Sequence, residues 1–272
     1  MAHEFDPGYG AEPFATLCRE YPGPETYPPA DFRVEWGPVF HRGRLDGSAR
    51  VLVLGQDPSV HEAVTRRILI GIAGQRTQGF LAKLGLTASY VMVNTFLYGV
   101  YGQQGGEKHV ADPGIAAYRN RWLDALLVGT GVEAVVAFGH LADAAFNGWR
   151  ATPAGQGYAG AYESIPHPTY PESSAHGDPA KAAAATRRML REWNEALARL
   201  STRVAHADVA RPLVPYGDAF APDDTPPIPA ADLPAGLPTW MGALPGWADR
   251  VGSTPDEKRA TIVVTAPKEI WS

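Results

Sequence analysis

The stretch from Arg50 to His61 constrains the fold of this chain more than any other, and it reads Arg-Val-Leu-Val-Leu-Gly-Gln-Asp-Pro-Ser-Val-His. Four apolar residues that end at a glycine and a polar turn predict a buried parallel strand that leads into a helix. Ligands of open α/β sheets bind beyond the carboxyl ends of such strands, so Gln56 and Asp57 are candidate site residues. The same residues also suit an ordinary turn in which Asp57 caps the next helix.

Two further stretches follow the same plan. The run Tyr90–Asn94 predicts a strand that ends at Asn94 and is followed by Thr95. The run 162–165 predicts the last central strand, and it is followed by Pro166, His167, Pro168, Thr169 and Tyr170. Asn94 and His167 are therefore candidate site residues as well.

These three segments together resemble the uracil-DNA glycosylase superfamily. The family's usual motifs are Gly-Gln-Asp-Pro-Tyr-His, Leu-Leu-Asn-Thr and His-Pro-Ser-Pro-Leu. In this chain they correspond, in the same order, to Gly55-Gln-Asp-Pro-Ser-Val-His61, Met92-Val-Asn-Thr95 and His167-Pro-Thr-Tyr-Pro171. Cys18 is the only cysteine, so the families of this superfamily that carry a four-cysteine iron–sulfur cluster are excluded. The resemblance implies a divergent member without that cluster, and no cofactor is expected.

The resemblance implies a role for each motif in cleaving an N-glycosidic bond. Asp57 and His167 would be the catalytic pair, because the sugar becomes cationic and the departing base becomes anionic. Asp57 would stabilise the sugar and orient the water, and His167 would donate to uracil O2. The Gln56 backbone amide would help to bind the base, and Asn94 would read its N3–H and O4 groups.

The chain departs from the family pattern around the base. Ser59 replaces the tyrosine that excludes the 5-methyl group of thymine, unless Tyr98 or Tyr170 supplies that bulk from elsewhere. In the family, a phenylalanine stacks on the base. The corresponding position in this chain is near Leu69, Ile70 and Gly71, none of which is aromatic. These three residues remain candidates for substrate binding, with Phe80 as an alternative stacking residue.

Candidate DNA-binding residues surround the first and last motifs. Thr169 would replace a phosphate-binding serine, and Tyr170 with Pro171 would lie near the wedge that fills the gap left by a flipped nucleotide. His61, another candidate DNA-binding residue, lies one residue after the position at which the family motif has its histidine. The arginines of the long helix after the last motif are interpreted as a solvated face, with DNA phosphate contact as the alternative; they are Arg187, Arg188 and Arg191.

The expected function is that of a metal-independent, monofunctional DNA glycosylase that flips uracil out of DNA and starts base-excision repair. Its partner would be DNA containing uracil or an abasic site, and it would act as a monomer. One alternative is a glycosylase of the same fold for thymine, hypoxanthine or xanthine. Another is a non-catalytic protein that binds uracil or abasic DNA.

The chain has 272 residues, of which 45% are hydrophobic and 19% are charged, as is typical of soluble globular proteins. It has no apolar run of about 20 residues, and its first residues show neither the basic nor the apolar region typical of a signal peptide, so we expect a cytoplasmic protein without a membrane partner. The pattern predicts a three-layer α/β/α fold with a short, mainly parallel central sheet. This domain would span residues 1–203, including an N-terminal wrapping segment, with helices starting at Asp112-Pro113 and Asp178-Pro179.

Residues 204–272 predict a proline-rich, acidic C-terminal arm. They carry 5 basic and 9 acidic groups, so the arm contributes −4 to the net charge of −5. This charge predicts that the arm weakens DNA binding at low salt. The competing prediction is that Phe220, Trp240, Trp247 and Trp271 pack the arm onto the domain. The histidines show no metal-ligand spacing, and His61, His109, His140 and His176 are predicted to lie at the surface or at helix caps.

Overall fold

The structure is a computed structural model that describes residues 8–101 and 105–270. Its strands are β1 (His41–Gly43), β2 (Val51–Gly55), β3 (Tyr90–Asn94), β4 (Ala134–Phe138), β5 (Ala161–Ile165), β6 (Ala248–Arg250) and β7 (Ile262–Val264). Its α-helices are α1 (Phe14–Arg19), α2 (Val60–Thr65), α3 (Ile72–Lys83), α4 (Gly105–His109), α5 (Pro113–Leu127), α6 (His140–Arg150), α7 (Pro153–Gln156), α8 (Tyr170–Ala175), α9 (Pro179–Leu200), α10 (Trp240–Ala243) and α11 (Pro255–Ala260). Single-turn 3-10 helices lie at Gly8–Gly10, Val34–Trp36, Pro222–Asp224, Ala230–Asp232 and Lys268–Ile270.

The central sheet has the strand order β1-β3-β2-β4-β5. Strands β2 to β5 run parallel to their neighbours, and β1 alone pairs antiparallel, with His41 opposite Val93. Gly55 lies opposite Asn94, and Phe138 lies opposite Ile165, so the carboxyl ends of the parallel strands meet at one edge. The fold is therefore α/β with a mainly parallel sheet, as the sequence predicts.

Helices cover both faces of this sheet. Side chains that alternate along the strands point to opposite faces, so Leu52 and Leu54 pack towards α5 and α6, whereas Val51 and Val53 pack towards α3 and α9. Every residue of β2, β3 and β4 is buried. The two large helices start where the sequence predicts, because the Asp112 and Asp178 carboxylates accept hydrogen bonds from the first free N–H groups of α5 and α9.

Two local expectations are wrong, and strand β1 lies in the N-terminal segment, for which no strand was predicted. Phe80 is fully buried between Phe138 and Trp193, with ring centroids 6.2 and 5.4 Å away, so it is a core residue that cannot stack on a base. His109 is buried instead of lying at the surface, because its Nε2 atom is 2.7 Å from an Asp31 carboxylate oxygen.

The described part of the C-terminal arm packs on the domain. Trp247 is only 2% exposed and belongs to an apolar cluster that joins the arm to Ile70; the other buried members are Ile228, Leu233, Met241 and Ala248. Asp232 inserts a carboxylate into the domain, where Arg42 Nη1 lies 3.1 Å away and the Tyr90 hydroxyl donates to it at 2.6 Å. Trp271, which was also expected to pack here, lies outside the described residues.

No helix in the described ranges is both long enough and apolar enough to cross a membrane.

Candidate active site

A cleft of about 630 Å³ opens at the edge of the sheet where the parallel strands end. It brings together residues that are more than 100 positions apart in the chain, because β2 and β5 flank β4. The expected site residues that line it are Gln56, Asp57, Ser59, His167, Thr169 and Tyr170. The first and last motifs therefore share one cleft.

The Asp57 carboxylate is held on both oxygens. Its Oδ1 accepts a hydrogen bond of 3.0 Å from Gln56 Nε2, and its Oδ2 accepts one of 2.8 Å from the Val100 backbone N–H. Burial raises the pKa of Asp57 to about 6, while these two hydrogen bonds and the charge of Arg33 act in the opposite direction. At pH 7 most of the carboxylate is ionised, and it is positioned by main-chain and side-chain donors.

Ser59, and not Asp57, occupies the N-cap position of α2, so the expectation that Asp57 serves only as a helix cap is wrong. The buried Glu62 carboxylate accepts hydrogen bonds from the backbone N–H groups of Ser59 and Leu69. Burial raises the pKa of Glu62 to about 7, and the same hydrogen bonds oppose that rise. Glu62 thus connects the turn that carries Asp57 to the loop that carries Leu69.

The hydrogen bonds of His167 fix its tautomer. Its Nδ1 atom accepts from the Thr169 backbone N–H at 3.2 Å and lies 3.0 Å from the Thr169 hydroxyl. A backbone amide can only donate, so the neutral ring carries its proton on Nε2. Desolvation lowers the pKa of His167 to about 4, against the opposing charge of Glu172. At pH 7 the ring is neutral, and Nε2–H is a donor without a partner among the described residues.

Two helices and the arm hold the loop around His167. Trp193 Nε1 on α9 donates to the Pro166 carbonyl at 3.0 Å. Arg76 on α3 donates to the Pro168 carbonyl at 2.6 Å and pairs with Glu172 at 2.7 Å. Phe220 of the arm lies 4.6 Å from the Arg76 guanidinium. The position of His167 therefore depends on elements that come before and after it in the chain.

Asn94 ends β3 beside Gly55, one residue before Gln56. A Cβ atom on Gly55 would lie 2.3 Å from Asn94 Oδ1 and 3.8 Å from the Leu69 side chain, so only glycine allows this approach. The Asn94 Nδ2 atom is buried and has no hydrogen-bond partner in the described part of the chain. A buried amide donor without a partner costs stability, so it is a natural position for a ligand acceptor. Asn94 and Leu69 are neighbours, but neither lines the cleft itself.

The remaining expected residues lie away from the cleft. Ile70 is 2% exposed and packs in the arm cluster. His61 contacts Trp247 with ring centroids 4.7 Å apart, and a Cβ on Gly71 would lie 3.3 Å from His61 Nδ1. Pro171 is buried in the first turn of α8.

The two tyrosines proposed as substitutes for the missing bulk differ in position. Tyr98 is buried, and its hydroxyl donates to the Pro22 carbonyl at 2.8 Å, so it packs in the core. Tyr170 lines the cleft and can still serve there.

Other residues also belong to this site. Arg188, for which phosphate contact was the alternative to a solvated face, lines the cleft, as does His140, which was predicted only as a surface or helix-cap residue. Glu62, Arg76 and the Val100 amide, which the sequence did not single out, position the side chains of the cleft.

Within residues 8–101 and 105–270, no three histidine, cysteine, aspartate or glutamate side chains are grouped so that they could hold a metal ion. The chain matches no family model and no curated protein.

Proposed function

We propose that this protein is a DNA glycosylase that flips uracil out of DNA and hydrolyses its N-glycosidic bond, as a divergent member of the uracil-DNA glycosylase superfamily. The observation that supports this most strongly is the pairing, in one cleft, of an ionised Asp57 with a neutral His167 that can donate from Nε2. In this proposal the partner is DNA with uracil or an abasic site, and the enzyme acts as a monomer in the cytoplasm.

The two side chains meet the two charges that develop during the reaction. As the bond from the sugar C1′ to the base N1 breaks, its electron pair goes to the base and the sugar becomes cationic. The Asp57 carboxylate stabilises that cation and orients the water that attacks C1′. His167 donates from Nε2 to uracil O2 as negative charge collects there. The products are free uracil and an abasic site in the DNA.

Asn94 supplies the recognition of uracil in this proposal. Its unpartnered Nδ2 donates to O4, and its Oδ1 accepts from N3–H. Cytosine presents a donor and an acceptor in the opposite order, so buried polar groups would remain unpaired. Leu69 is the apolar neighbour of Asn94 at the position of the missing aromatic ring, and its backbone N–H donates to Glu62.

The DNA strand around the flipped nucleotide would contact the outer residues of the cleft. Tyr170 has the size to fill the gap left in the stack, which lowers the cost of flipping. Thr169 and Arg188 are the groups best suited to bind phosphates there.

The second candidate is a glycosylase of the same fold that accepts another base. It is favoured by Ser59, which is exposed and lines the cleft at the position where the family carries a tyrosine. A serine leaves space that a 5-methyl group can occupy, so thymine would be admitted.

A gel assay with labelled duplexes that contain uracil, thymine, hypoxanthine or xanthine tests these proposals. Alkali cleaves the strand wherever the base has been removed. Cleavage at uracil supports the main proposal, and cleavage at another base alone supports the second candidate. Absence of cleavage in every duplex, with binding of abasic DNA retained, would show a non-catalytic binding protein.

A further inference from the structure

Three arginines lie near one another at the junction of the N-terminal segment and the C-terminal arm, and Arg33 is the one beside Asp57. Arg33 lies beside the loop whose Val100 amide binds Asp57, since the Arg33 backbone N–H donates to the Gly99 carbonyl at 2.8 Å. A Cβ atom on Gly99 would lie 2.6 Å from the Pro58 carbonyl oxygen and 3.5 Å from Arg33 Cδ. The Arg33 side chain therefore lies next to the Asp57-Pro58 turn. Arg250 and Arg259 approach the same place from the arm.

Among the described residues, Arg259 is the one arginine of the three with a carboxylate within ion-pair distance. Arg259 pairs with both oxygens of Glu35, at 2.9 and 2.8 Å, and also donates to the Phe32 carbonyl. The Arg33 guanidinium makes no hydrogen bond to any described residue, and its Nη1 atom is buried. Arg250 donates from Nη1 to the Arg259 carbonyl at 3.3 Å and has no carboxylate partner in the described ranges.

Aromatic rings hold the two unpaired groups in place. The Arg33 guanidinium lies 4.8 Å from the centre of the Tyr101 ring, and that of Arg250 lies 5.5 Å from the Trp36 ring. Such packing fixes the position of a guanidinium while leaving its N–H groups free for a ligand.

The two cations also disfavour each other. Burial and the neighbouring Arg33 lower the pKa of Arg250 to about 10, and burial with the charge of Arg259 lowers the pKa of Arg33. Glu35 opposes both changes, but its oxygens are bound by Arg259; Tyr101 and the Asp57 charge also oppose the change at Arg33. Two partly desolvated charges of the same sign are costly unless an anion joins them.

We propose that Arg33 and Arg250 form a phosphate-binding site that takes a backbone phosphodiester of the DNA strand next to the flipped nucleotide. The two groups belong to one cluster, because the Tyr101 ring packs on the guanidinium groups of both Arg33 and Arg259, and Arg250 donates to the Arg259 carbonyl. Guanidinium groups suit the oxygens of a phosphate group. The choice of DNA as the source rests on the proposed function, while the chemistry of the site is shared with free phosphate. The arm then strengthens DNA binding.

Stronger DNA binding through the arm is the opposite of the weaker binding that the net charge of the arm predicts. Several of its carboxylates are engaged with the domain, and two of them are paired with domain cations, which offset their charge. Asp232 pairs with Arg42, Asp224 lies 2.7 Å from Lys83 Nζ, and Asp208 accepts from the backbone amides of residues 87–89.

The test uses the full-length variants Arg33→Gln and Arg250→Gln. The matched control is Arg150→Gln, which removes an exposed charge at the far end of α6. Fluorescence anisotropy measures binding to an undamaged duplex at 50 and 200 mM salt, so no excision is involved. Each phosphate contact adds about 0.9 to the slope of log affinity against log salt. Each site variant should lose about one unit of that slope, which is about a threefold change in the ratio of the two affinities. The control should keep the wild-type slope.

Thermal unfolding tests whether the site binds free phosphate as well as the DNA backbone. The melting temperature is measured with inorganic phosphate and with chloride at equal ionic strength. We expect phosphate to raise the melting temperature of the wild type but not that of either site variant. Each variant is compared with itself in the two salts, because the substitution removes packing on Tyr101 or Trp36 as well as a like-charge contact. Stabilisation by phosphate with an unchanged DNA salt slope would overturn the assignment to DNA and leave a site for free phosphate. An unchanged slope and no response to phosphate would overturn the site altogether, whether or not uracil is excised.

Discussion

The ion pair between Arg42 on β1 and Asp232 in the arm predicts how strongly the arm is bound to the domain. Both side chains are 0% exposed, and their N–O distance is 3.1 Å. The same carboxylate accepts from the Tyr90 hydroxyl at 2.6 Å, and Arg44 lies 3.5 Å away. The substitution Asp232→Ala leaves the Arg42 charge buried with only Gln78 Oε1, at 3.2 Å, and Met92 Sδ beside it.

Removal of one partner from a buried pair costs about 3–5 kcal/mol. That is a large part of a total free energy of unfolding of about 5–15 kcal/mol. For a chain of this length, about 2–4 °C of melting temperature is lost for each kcal/mol. We therefore expect Asp232→Ala to lower the melting temperature by about 6–20 °C.

Urea and thermal unfolding followed by circular dichroism would measure this loss. The control is Glu20→Ala, which removes the exposed partner of Arg121 and should cost less than about 1 kcal/mol. The double variant Arg42→Met/Asp232→Leu should be more stable than Asp232→Ala, since no buried charge then remains unpaired. A loss of less than 1 kcal/mol for Asp232→Ala, equal to that of the control, would refute the idea that this pair holds the arm.

Three further predictions concern the candidate active site. The single-turnover excision rate should be flat above pH 7 and fall about tenfold per pH unit below 6. The reason is that protonation removes the Asp57 charge there, while His167 stays neutral down to about pH 4. A rate that rises towards pH 5 would contradict this assignment. Asn94→Asp should lose uracil excision and gain some activity on cytosine, because a carboxylate accepts from the 4-amino group; unchanged uracil excision in the gel assay would remove Asn94 from base recognition. Ser59→Tyr should reduce any excision of thymine and spare that of uracil, and equal effects on both substrates would argue against a steric role at this position.

The parts of the fold that the sequence predicts are those with local signals. The apolar run before Gly55 indicates a buried strand, and Asp112 and Asp178, each followed by proline, mark the first turns of α5 and α9. Strand β1 has no such signal, because His-Arg-Gly shows no apolar alternation. Arg42 can be buried there only through a carboxylate 190 residues later in the chain.

In the candidate site, too, the sequence predicts the residues that have a local signal and not those that depend on distant contacts. Asp57 and His167 could be chosen from motifs, but the groups that position them belong to other segments. The Val100 amide reaches Asp57 through a loop, and Arg76 reaches Pro168 from α3. The link from Glu62 to Leu69 depends on a buried carboxylate that turns back on its own loop. Such contacts depend on how distant segments pack, which single-sequence patterns do not encode.

The most direct test of the proposed function compares wild type and Asp57→Asn on the same uracil-containing duplex. DNA affinity is measured by anisotropy, and excision is measured by single-turnover alkali cleavage. The amide keeps the shape of the side chain but removes the charge that faces the developing sugar cation. We expect the variant to bind with near wild-type affinity and to lose at least about a hundredfold in rate, as is typical when one transition-state group is removed. Excision by Asp57→Asn at the wild-type rate would contradict the proposed role of Asp57 in catalysis.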